Sequence, residues 1–215
     1  SYKIAGAAWY QGETNTGNFT TYEKLLTEMI ASWRAERKEE FPFYIIQIAP
    51  YSYWEDSGAR IRNIQRKVAQ NTPKSGLIMT ADVSTPDDIH PKNKKPVGIR
   101  MANLVLKNIY GFKNELVESP TLKNVVFKGN KAILNFDFAE GLYFKNKTSE
   151  LFEVAGTDGK FRKAKASLKG NQIILQSQAV KNPAYVRYGW SNVANPDVYN
   201  QSELPLSSFT TENLK

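Results

Sequence analysis

The stretch Pro42-Phe43-Tyr44-Ile45-Ile46-Gln47-Ile48-Ala49-Pro50 is a short apolar run between two prolines, and it predicts a β-strand. A helical pattern follows over residues 59–70, in which Ile61, Ile64 and Val68 recur at helical spacing. A strand followed by a helix is the repeating unit of α/β folds. The same unit occurs once on each side of this stretch.

On the N-terminal side, the run Ile4-Ala5-Gly6-Ala7-Ala8-Trp9 predicts a strand that is buried on both faces of a parallel sheet. Thr20 and Glu23 have the spacing of a capping box at the start of a helix. The apolar residues of that helix recur at helical spacing up to a charged stretch at residues 34–40; they are Tyr22, Leu25, Leu26, Met29, Ile30 and Trp33.

On the C-terminal side, residues 76–82 predict a third strand. A helix is predicted from about Pro96 to Tyr110, since a proline starts it and Gly111 stops it. Three alternating strand and helix units predict an α/β fold with a parallel, doubly wound sheet and right-handed crossovers.

After Gly111 the pattern changes, and no helical period is visible. Short strand-like runs lie at residues 125–127, 132–136, 151–155, 173–176 and 184–188. Gly-Asn, Asp-Gly and Gly-Asn turn signals stand between them at residues 129–130, 158–159 and 170–171. We therefore predict a boundary near residues 113–120, with an α/β unit over residues 1–115 and a small antiparallel sandwich or barrel over residues 121–215.

The composition describes a folded protein and narrows its partners. Of 215 residues, 41% are hydrophobic and 23% are charged, which excludes a disordered polyelectrolyte. No window has the roughly 18 consecutive apolar residues of a membrane-spanning helix, so no membrane partner is expected. The net charge of +8 is spread thinly, and nucleic-acid binding is not expected either. The chain has no cysteine, which excludes disulfides, Cys-ligated zinc and thiol nucleophiles.

His90 is the only histidine of the chain, and it follows the third predicted strand. Loops at the carboxyl ends of strands in an open α/β sheet line the ligand crevice. Asp87 precedes His90 by three residues, so one tight turn can aim its carboxylate at Nδ1–H and leave Nε2 as a proton acceptor. The pair is a candidate for the base half of a catalytic triad. The alternative is a lone histidine with a purely structural role.

The segment Trp9-Tyr10-Gln11-Gly12-Glu13-Thr14-Asn15 lies just past the first predicted strand, at the same edge of the sheet. Gly12 allows the backbone to approach a ligand, and the side-chain amide of Gln11 or Asn15 could donate to a developing oxyanion. The alternative is a polar turn in which Asn15 and Gly17 adopt positive φ.

Two segments of the chain carry specific motifs, Trp9-Tyr10-Gln11-Gly12-Glu13-Thr14-Asn15 and Asp87-Asp88-Ile89-His90-Pro91-Lys92-Asn93-Lys94. Together with Ile61-Arg62-Asn63-Ile64-Gln65 and Tyr185-Val186-Arg187-Tyr188-Gly189-Trp190-Ser191-Asn192, they resemble the sialate O-acetylesterase family within the SGNH hydrolases. The resemblance implies an SGNH or flavodoxin-like sheet. It makes Asp87 and His90 triad members, and it puts oxyanion and substrate binding in Gln11, Gly12, Glu13 and Asn15. Gln11 is our first choice as oxyanion donor and Asn15 the second.

One departure from the family is as informative as the matches. The family's nucleophilic serine lies in a Gly-Gln-Ser-Asn-like segment after the first strand of the sheet, and this sequence contains no such segment. We therefore expect the C-terminal part of a longer enzyme, with a sheet incomplete on its N-terminal side. Its expected partner is the missing N-terminal esterase segment, and the chain alone is expected to be inactive. The run Gly189-Trp190-Ser191-Asn192 lacks a following helix to form a nucleophile elbow, so Ser191 is not assigned.

The function expected from the resemblance is that of a carbohydrate O-acetylesterase of the sialate 9-O-acetylesterase or acetylxylan esterase type. It would cleave an acetylated carbohydrate by a Ser-His-Asp mechanism, and no metal or organic cofactor is implied. The resemblance also implies a periplasmic or extracellular location, with the signal on the missing end.

Other candidate residues leave two further readings open. Aromatic side chains near predicted loop ends could stack on sugar rings; they are Trp9, Tyr10, Tyr51, Tyr53 and Trp54. Arg60 and Arg62 could meet a substrate carboxylate, although exposed helical arginines are the expected state. One rival function is a non-catalytic carbohydrate-binding protein. The other is a glycosidase in which Glu13 and Asp87 form the carboxylate pair.

Overall fold

The computed structural model describes residues 2–112 and 116–213 of the chain. The first part contains three strands and three α-helices: β1 (Ala7–Tyr10), α1 (Tyr22–Arg37), β2 (Phe43–Ile46), α2 (Ser57–Asn71), β3 (Ser75–Ile78) and α3 (Lys95–Asn108). A 3₁₀ helix, Thr14–Thr21, precedes α1. The strands form one parallel sheet in the order β1–β2–β3. The predicted α/β fold with a parallel sheet is confirmed.

The central strand β2 shows how both faces of the sheet are covered. All four of its residues are buried, and successive side chains of a strand point to opposite faces. Phe43 and Ile45 belong to one core cluster, which α1 and α2 complete. Tyr44 and Ile46 belong to a second cluster, which α3 completes. Helices therefore lie on both faces of the parallel sheet.

Strand β1 differs from its prediction, because it is not buried on both faces. Ala8 is exposed, and Ala7, Trp9 and Tyr10 are half-buried. The reason is its place in the sheet, since among the described residues β1 pairs with β2 and with no other strand. One edge of its backbone is therefore free to pair.

The capping box predicted for α1 is also wrong. The N-cap residue is Thr21, which makes no side-chain cap hydrogen bond, and the Thr20 hydroxyl donates instead to Asn18 Oδ1 at 3.0 Å. The chain is already helical at this point, because the 3₁₀ helix runs directly into α1. The backbone N–H of Tyr22 donates to the Phe19 carbonyl, so a preceding turn satisfies it.

The second part of the chain is built from short strands: β4 (Thr121–Lys128), β5 (Lys131–Asp137), β6 (Tyr143–Phe144), β7 (Phe152–Ala155), β8 (Arg162–Lys163), β9 (Lys165–Lys169), β10 (Gln172–Gln176), β11 (Tyr185–Tyr188), β12 (Val198–Tyr199) and β13 (Phe209–Thr210). Two four-stranded antiparallel sheets have the orders β4–β5–β10–β9 and β13–β11–β7–β8. Their inner residues share one core. This is the arrangement of a sandwich.

The two parts meet along a polar seam. The side-chain amide of Gln47 donates to Ser207 Oγ at 3.1 Å, and that of Gln70 donates to the Leu122 carbonyl at 3.1 Å. Residues 113–115 of the predicted boundary lie outside the described residues, and the division into residues 1–115 and 121–215 stays a prediction. No helix described over residues 2–112 and 116–213 combines the length and the hydropathy that crossing a bilayer requires.

Candidate active site

The turn after β1 is held by a buried network of hydrogen bonds. The backbone carbonyl of Gln11 accepts from the Tyr22 hydroxyl at 2.9 Å and from Gln65 Nε2 at 2.9 Å. Gln65 Oε1 in turn accepts from the backbone N–H of Ile48 at 2.9 Å. Because Gln65 is fully buried on α2, this network joins the turn to the end of β2 and to α1. The position of Gln11 is therefore set by the core.

Gly12 is the one residue of this turn at which no side chain fits. Its φ is +146°, a conformation that L-residues rarely adopt. A Cβ there would lie 2.9 Å from Ile48 Cγ2, 3.1 Å from Ile61 Cγ2 and 3.1 Å from Gln65 Nε2. The glycine is required by packing against β2 and α2. Neither Asn15 nor Gly17 has positive φ, so the alternative reading of this turn is wrong on that point.

Asn15 and Gln11 form a pair of side-chain amides at the start of the 3₁₀ helix. Gln11 Nε2 donates to Asn15 Oδ1 at 2.6 Å, and the Tyr22 hydroxyl lies 3.4 Å from Gln11 Oε1. The Asn15 backbone N–H donates to the Gly12 carbonyl at 3.0 Å. Asn15 Nδ2 donates to no group in the part of the chain that the structure describes. Its amide is therefore oriented and still available to a ligand.

The loop after β3 carries the other two candidates. Asp87 and His90 are both exposed. The backbone N–H of His90 donates to Asp88 Oδ1 at 2.9 Å, and over residues 2–112 and 116–213 no hydrogen bond joins the Asp87 carboxylate to the His90 imidazole. Further along the loop, Lys94 Nζ lies 4.7 Å from the centre of the Tyr10 ring. This contact brings the loop to the carboxyl end of β1, where the Gln11 turn begins.

Two half-buried tyrosines with buried hydroxyl groups lie beside Glu13 at this edge of the sheet. Burial raises the pKa of Tyr10 to about 12, and the nearby Glu13 carboxylate adds to the effect. Burial and the same carboxylate also raise the pKa of the Tyr53 hydroxyl above its ordinary value. Neither hydroxyl has a hydrogen-bond partner among the described residues. Each tyrosine therefore keeps a protonated hydroxyl whose donor is unused inside this edge of the sheet.

The helical arginines are not the exposed side chains expected from the sequence. Arg62 is 1% exposed, and burial lowers its pKa to about 10. Its guanidinium donates to the Asn192 carbonyl at 3.2 Å and also to the Ser191 carbonyl. Arg60 donates to Asp56 Oδ1 at 2.6 Å. Arg62 thus joins the two parts of the chain, because α2 is covered on one side by the sheet and on another by the β-rich part.

The aromatic residues after β2 lie partly as predicted. The rings of Tyr51 and Tyr53 pack edge to face with centres 5.3 Å apart, and Trp54 is 80% exposed. Trp9 instead packs against Trp33 of α1, with ring centres 5.8 Å apart. Among the described residues no three His, Asp or Glu side chains cluster as a metal site would need.

These observations together indicate the class of protein. It is an α/β protein with a donor-bearing turn and a histidine loop at the same carboxyl edge of a parallel sheet, where α/β enzymes place their active sites.

Comparison with known proteins narrows this class. A family model described as carbohydrate esterase, sialic acid-specific acetylesterase, matches residues 1–107. The sialate O-acetylesterase of Rattus norvegicus is 24% identical over 240 residues, which covers 96% of this chain and 44% of that protein. The sialate O-acetylesterase of Homo sapiens is 24% identical over 174 residues, which covers 71% of this chain and 33% of that protein. Among solved structures, a carbohydrate acetylesterase from Xanthomonas citri is 34% identical with a TM-score of 0.91, covering 99% of this chain and 51% of that one.

The chain belongs to the sialic acid-specific acetylesterase family of carbohydrate esterases. It spans between a third and about half of the length of these relatives.

Proposed function

We propose that this chain carries the acid–base and oxyanion-binding side of an SGNH-type esterase that removes acetyl groups from carbohydrates. The observation that carries the proposal is the contact of Lys94 Nζ, 4.7 Å from the Tyr10 ring centre, which brings the loop that contains His90 to the carboxyl end of β1, where the Gln11–Asn15 turn begins. The family relationship supports the reaction class, since its named members are acetylesterases.

The proposed reaction is acyl transfer through a serine. The serine Oγ attacks the acetyl carbonyl carbon while His90 Nε2 takes the hydroxyl proton, and Asp87 orients the imidazole and stabilises its protonated form. Collapse of the tetrahedral intermediate breaks the ester C–O bond, and His90 returns the proton to the departing sugar oxygen. Water, whose proton His90 takes, then attacks the acetyl carbon; the bond from that carbon to the serine Oγ breaks, His90 returns the proton to Oγ, and acetate leaves. The Asp87–His90 hydrogen bond forms in the complete site, since hydrogen bonds of catalytic groups often tighten only when substrate is bound.

The free amide of Asn15 is the better candidate for the oxyanion donor. Gln11 Nε2 already donates to Asn15 Oδ1 at 2.6 Å, which fixes the plane of the Asn15 amide. Asn15 then aims Nδ2 at the ligand, and Gln11 acts through it as a positioning residue. A donor held before the reaction starts is the arrangement that favours transition-state charge.

We propose that the nucleophilic serine comes from a segment outside this chain. The free edge of β1 supports this proposal, because an unpaired strand edge can pair with a further strand. A strand added there would end beside the Gln11 turn. A serine after that strand would face both the Asn15 amide and the His90 loop.

The test measures acetate release from acetylated sugars by the longer polypeptide in which this proposal places the chain. We expect His90→Ala and Asp87→Asn each to lower kcat by about 10⁴-fold. Lys92→Ala, an exposed change in the same loop, is the matched control and should leave kcat within about twofold. Circular dichroism should show unchanged folding in all three variants, because all three side chains are exposed.

Turnover that survives His90→Ala would overturn the serine mechanism. A glycosidase that uses Glu13 and Asp87 would behave in that way, and it would release sugar rather than acetate. A separate variant tests the assignment of Asn15 as the oxyanion donor. We expect Asn15→Ala to cost about 10² to 10³ in kcat, the usual effect of losing one oxyanion donor.

A further inference from the structure

The segment Gly189-Trp190-Ser191-Asn192 of the β-rich part reaches across to the loop that follows β2. The Asn192 side-chain amide donates to the Tyr53 carbonyl and to the Glu55 carbonyl, each at 2.6 Å. Asn192 Oδ1 accepts from the backbone N–H of Gly58, the second residue of α2, at 2.9 Å. One buried side chain thus satisfies two backbone groups of the loop and one of the first turn of α2, all more than 130 residues away in the sequence.

Trp190 holds the same loop from a second direction. Its indole N–H donates to Asp56 Oδ2 at 3.0 Å, while Arg60 donates to Asp56 Oδ1 at 2.6 Å. Partial burial opposes ionisation of Asp56, but the hydrogen bonds from Arg60 and Trp190 lower its pKa below the ordinary value. The Tyr51 N–H also donates to the Asn192 carbonyl at 3.2 Å, so the segment ties residues 51–56 at their start, through Tyr51, and at their end, through Asp56.

The segment is itself anchored by a side chain of α2. The buried guanidinium of Arg62 donates to the carbonyls of Ser191 and Asn192. No carboxylate forms a salt bridge with Arg62 over residues 2–112 and 116–213, so the partners of its buried charge are these carbonyl groups and the Ser208 hydroxyl oxygen, 3.4 Å from Nε. Leaving such a charge without partners is costly, which fixes the segment in place. The Ser191 carbonyl accepts one of the hydrogen bonds from Arg62. Ser191 lies in a turn and not at the start of a helix.

The loop that is held in this way follows β2, whose carboxyl end lies next to that of its parallel neighbour β1 and therefore next to the Gln11 turn. Glu55, whose carbonyl accepts from Asn192, has a φ of +46°, a backbone conformation that costs free energy in a non-glycine residue. Trp54 is 80% exposed. Tyr53 lies close enough to Glu13 for that carboxylate to add to the rise in the tyrosine pKa. Trp54 follows Tyr53 directly, so its exposed indole belongs to the same loop and offers a sugar ring an aromatic face.

We propose that Trp190 and Asn192 are positioning residues for carbohydrate recognition. They hold residues 51–56 in the shape that receives the sugar ring of the acetylated substrate, and they touch neither the acetyl group nor the catalytic residues. The β-rich part thereby takes part in sugar selectivity. This inference rests on the proposed function, because it assumes that the ligand at this edge is an acetylated sugar.

The test compares two acetate esters that differ only in their alcohol. The variants are Trp190→Phe, which removes the indole N–H, and Asn192→Asp, which keeps the acceptor for Gly58 and loses both donors. We expect KM for an acetylated xylo-oligosaccharide or a 9-O-acetylated sialoside to rise about tenfold in Trp190→Phe, the effect of one lost hydrogen bond, and more in Asn192→Asp, which loses two. We expect kcat/KM for 4-nitrophenyl acetate to stay within about twofold. Val193→Ala, an exposed change in the same turn, should alter neither.

Amide hydrogen exchange of this chain measures how firmly the loop is held and does not depend on enzymatic activity. The backbone amides of residues 51–56 should exchange faster in Trp190→Phe and in Asn192→Asp. In Val193→Ala their exchange rates should be unchanged. Equal losses on both esters, or unchanged exchange in this loop, would overturn the positioning role. If the unmodified enzyme hydrolyses neither ester, the proposed function fails, and the exchange measurement still decides whether Trp190 and Asn192 hold the loop.

Discussion

The turn after β1 and the loop after β3 contribute the two sides of the proposed site, and the molecule holds them in different ways. In the turn, Gly12 is buried and the Gln11 carbonyl accepts two hydrogen bonds from helical side chains. In the loop, Asp87 and His90 are exposed. The oxyanion side is therefore built by the core, whereas the acid–base side depends on groups at the surface.

This difference follows from what each side has to do. An oxyanion donor stabilises charge best when it is fixed before the reaction, so a rigid turn suits it. A base has to meet both a nucleophile and an aspartate, and in our proposal the nucleophile lies on another segment. The loop after β3 can then close its hydrogen bonds only when that segment is in place. Stability variants should separate the two regions clearly.

The largest effect on stability is expected for Gly12→Ala. The new methyl group would meet Ile48 Cγ2 at 2.9 Å in a backbone conformation with φ of +146°. Overpacking and backbone strain together should lower the free energy of unfolding by about 3 kcal/mol. Urea denaturation followed by circular dichroism measures the change.

Gly17→Ala is the matched control for this variant. It changes the same residue type five positions further on, where a Cβ would meet nothing within 4 Å and φ is not positive. Its free energy of unfolding should stay within about 0.5 kcal/mol of the unmodified chain. If Gly12→Ala were as stable as this control, the turn would not be held rigidly by the core.

A smaller loss is expected for Gln65→Leu. Leucine has nearly the same size but leaves the buried N–H of Ile48 without its acceptor, and it removes one donor to the Gln11 carbonyl. An unsatisfied buried N–H should lower the free energy of unfolding by about 2 kcal/mol. His90→Ala in the exposed loop provides the comparison and should change it by less than about 0.5 kcal/mol. Equal losses in both variants would show that the loop is as firmly built as the turn.

The same contrast explains how far the sequence alone could predict the molecule. The strand and helix pairs of the first part were predictable, because their apolar residues have the spacing of buried strands and amphipathic helices. Strands of two residues, such as β6 and β12, are too short to leave a periodic pattern. The exposure of Ala8 was missed, because strand patterns do not show which strand of a sheet lies at its edge.

The candidate site was predictable only where it is local in the sequence. Gln11 to Asn15 and Asp87 to His90 are short motifs, and the structure brings both to one edge. The role of Gln65 depends on contacts from α2 to two other elements, which no local pattern contains. Arg62 was expected on the surface, because an arginine on a helix normally points to water. Its burial results from a β-rich part that begins more than 50 residues later.

The smallest effect is expected at the start of α3, just beyond the histidine loop. Gly98 is exposed inside this helix, its φ is not positive, and a Cβ there would meet nothing within 4 Å. Gly98→Ala should therefore raise the free energy of unfolding by about 0.5 to 1 kcal/mol, since alanine loses less conformational freedom in a helix than glycine. Thermal denaturation measures it as a modest rise in Tm. Gly111→Ala, with equally open space but a φ of +68°, should lower Tm instead. If both alanines moved Tm in the same direction, backbone conformation would not be what distinguishes these two ends of α3.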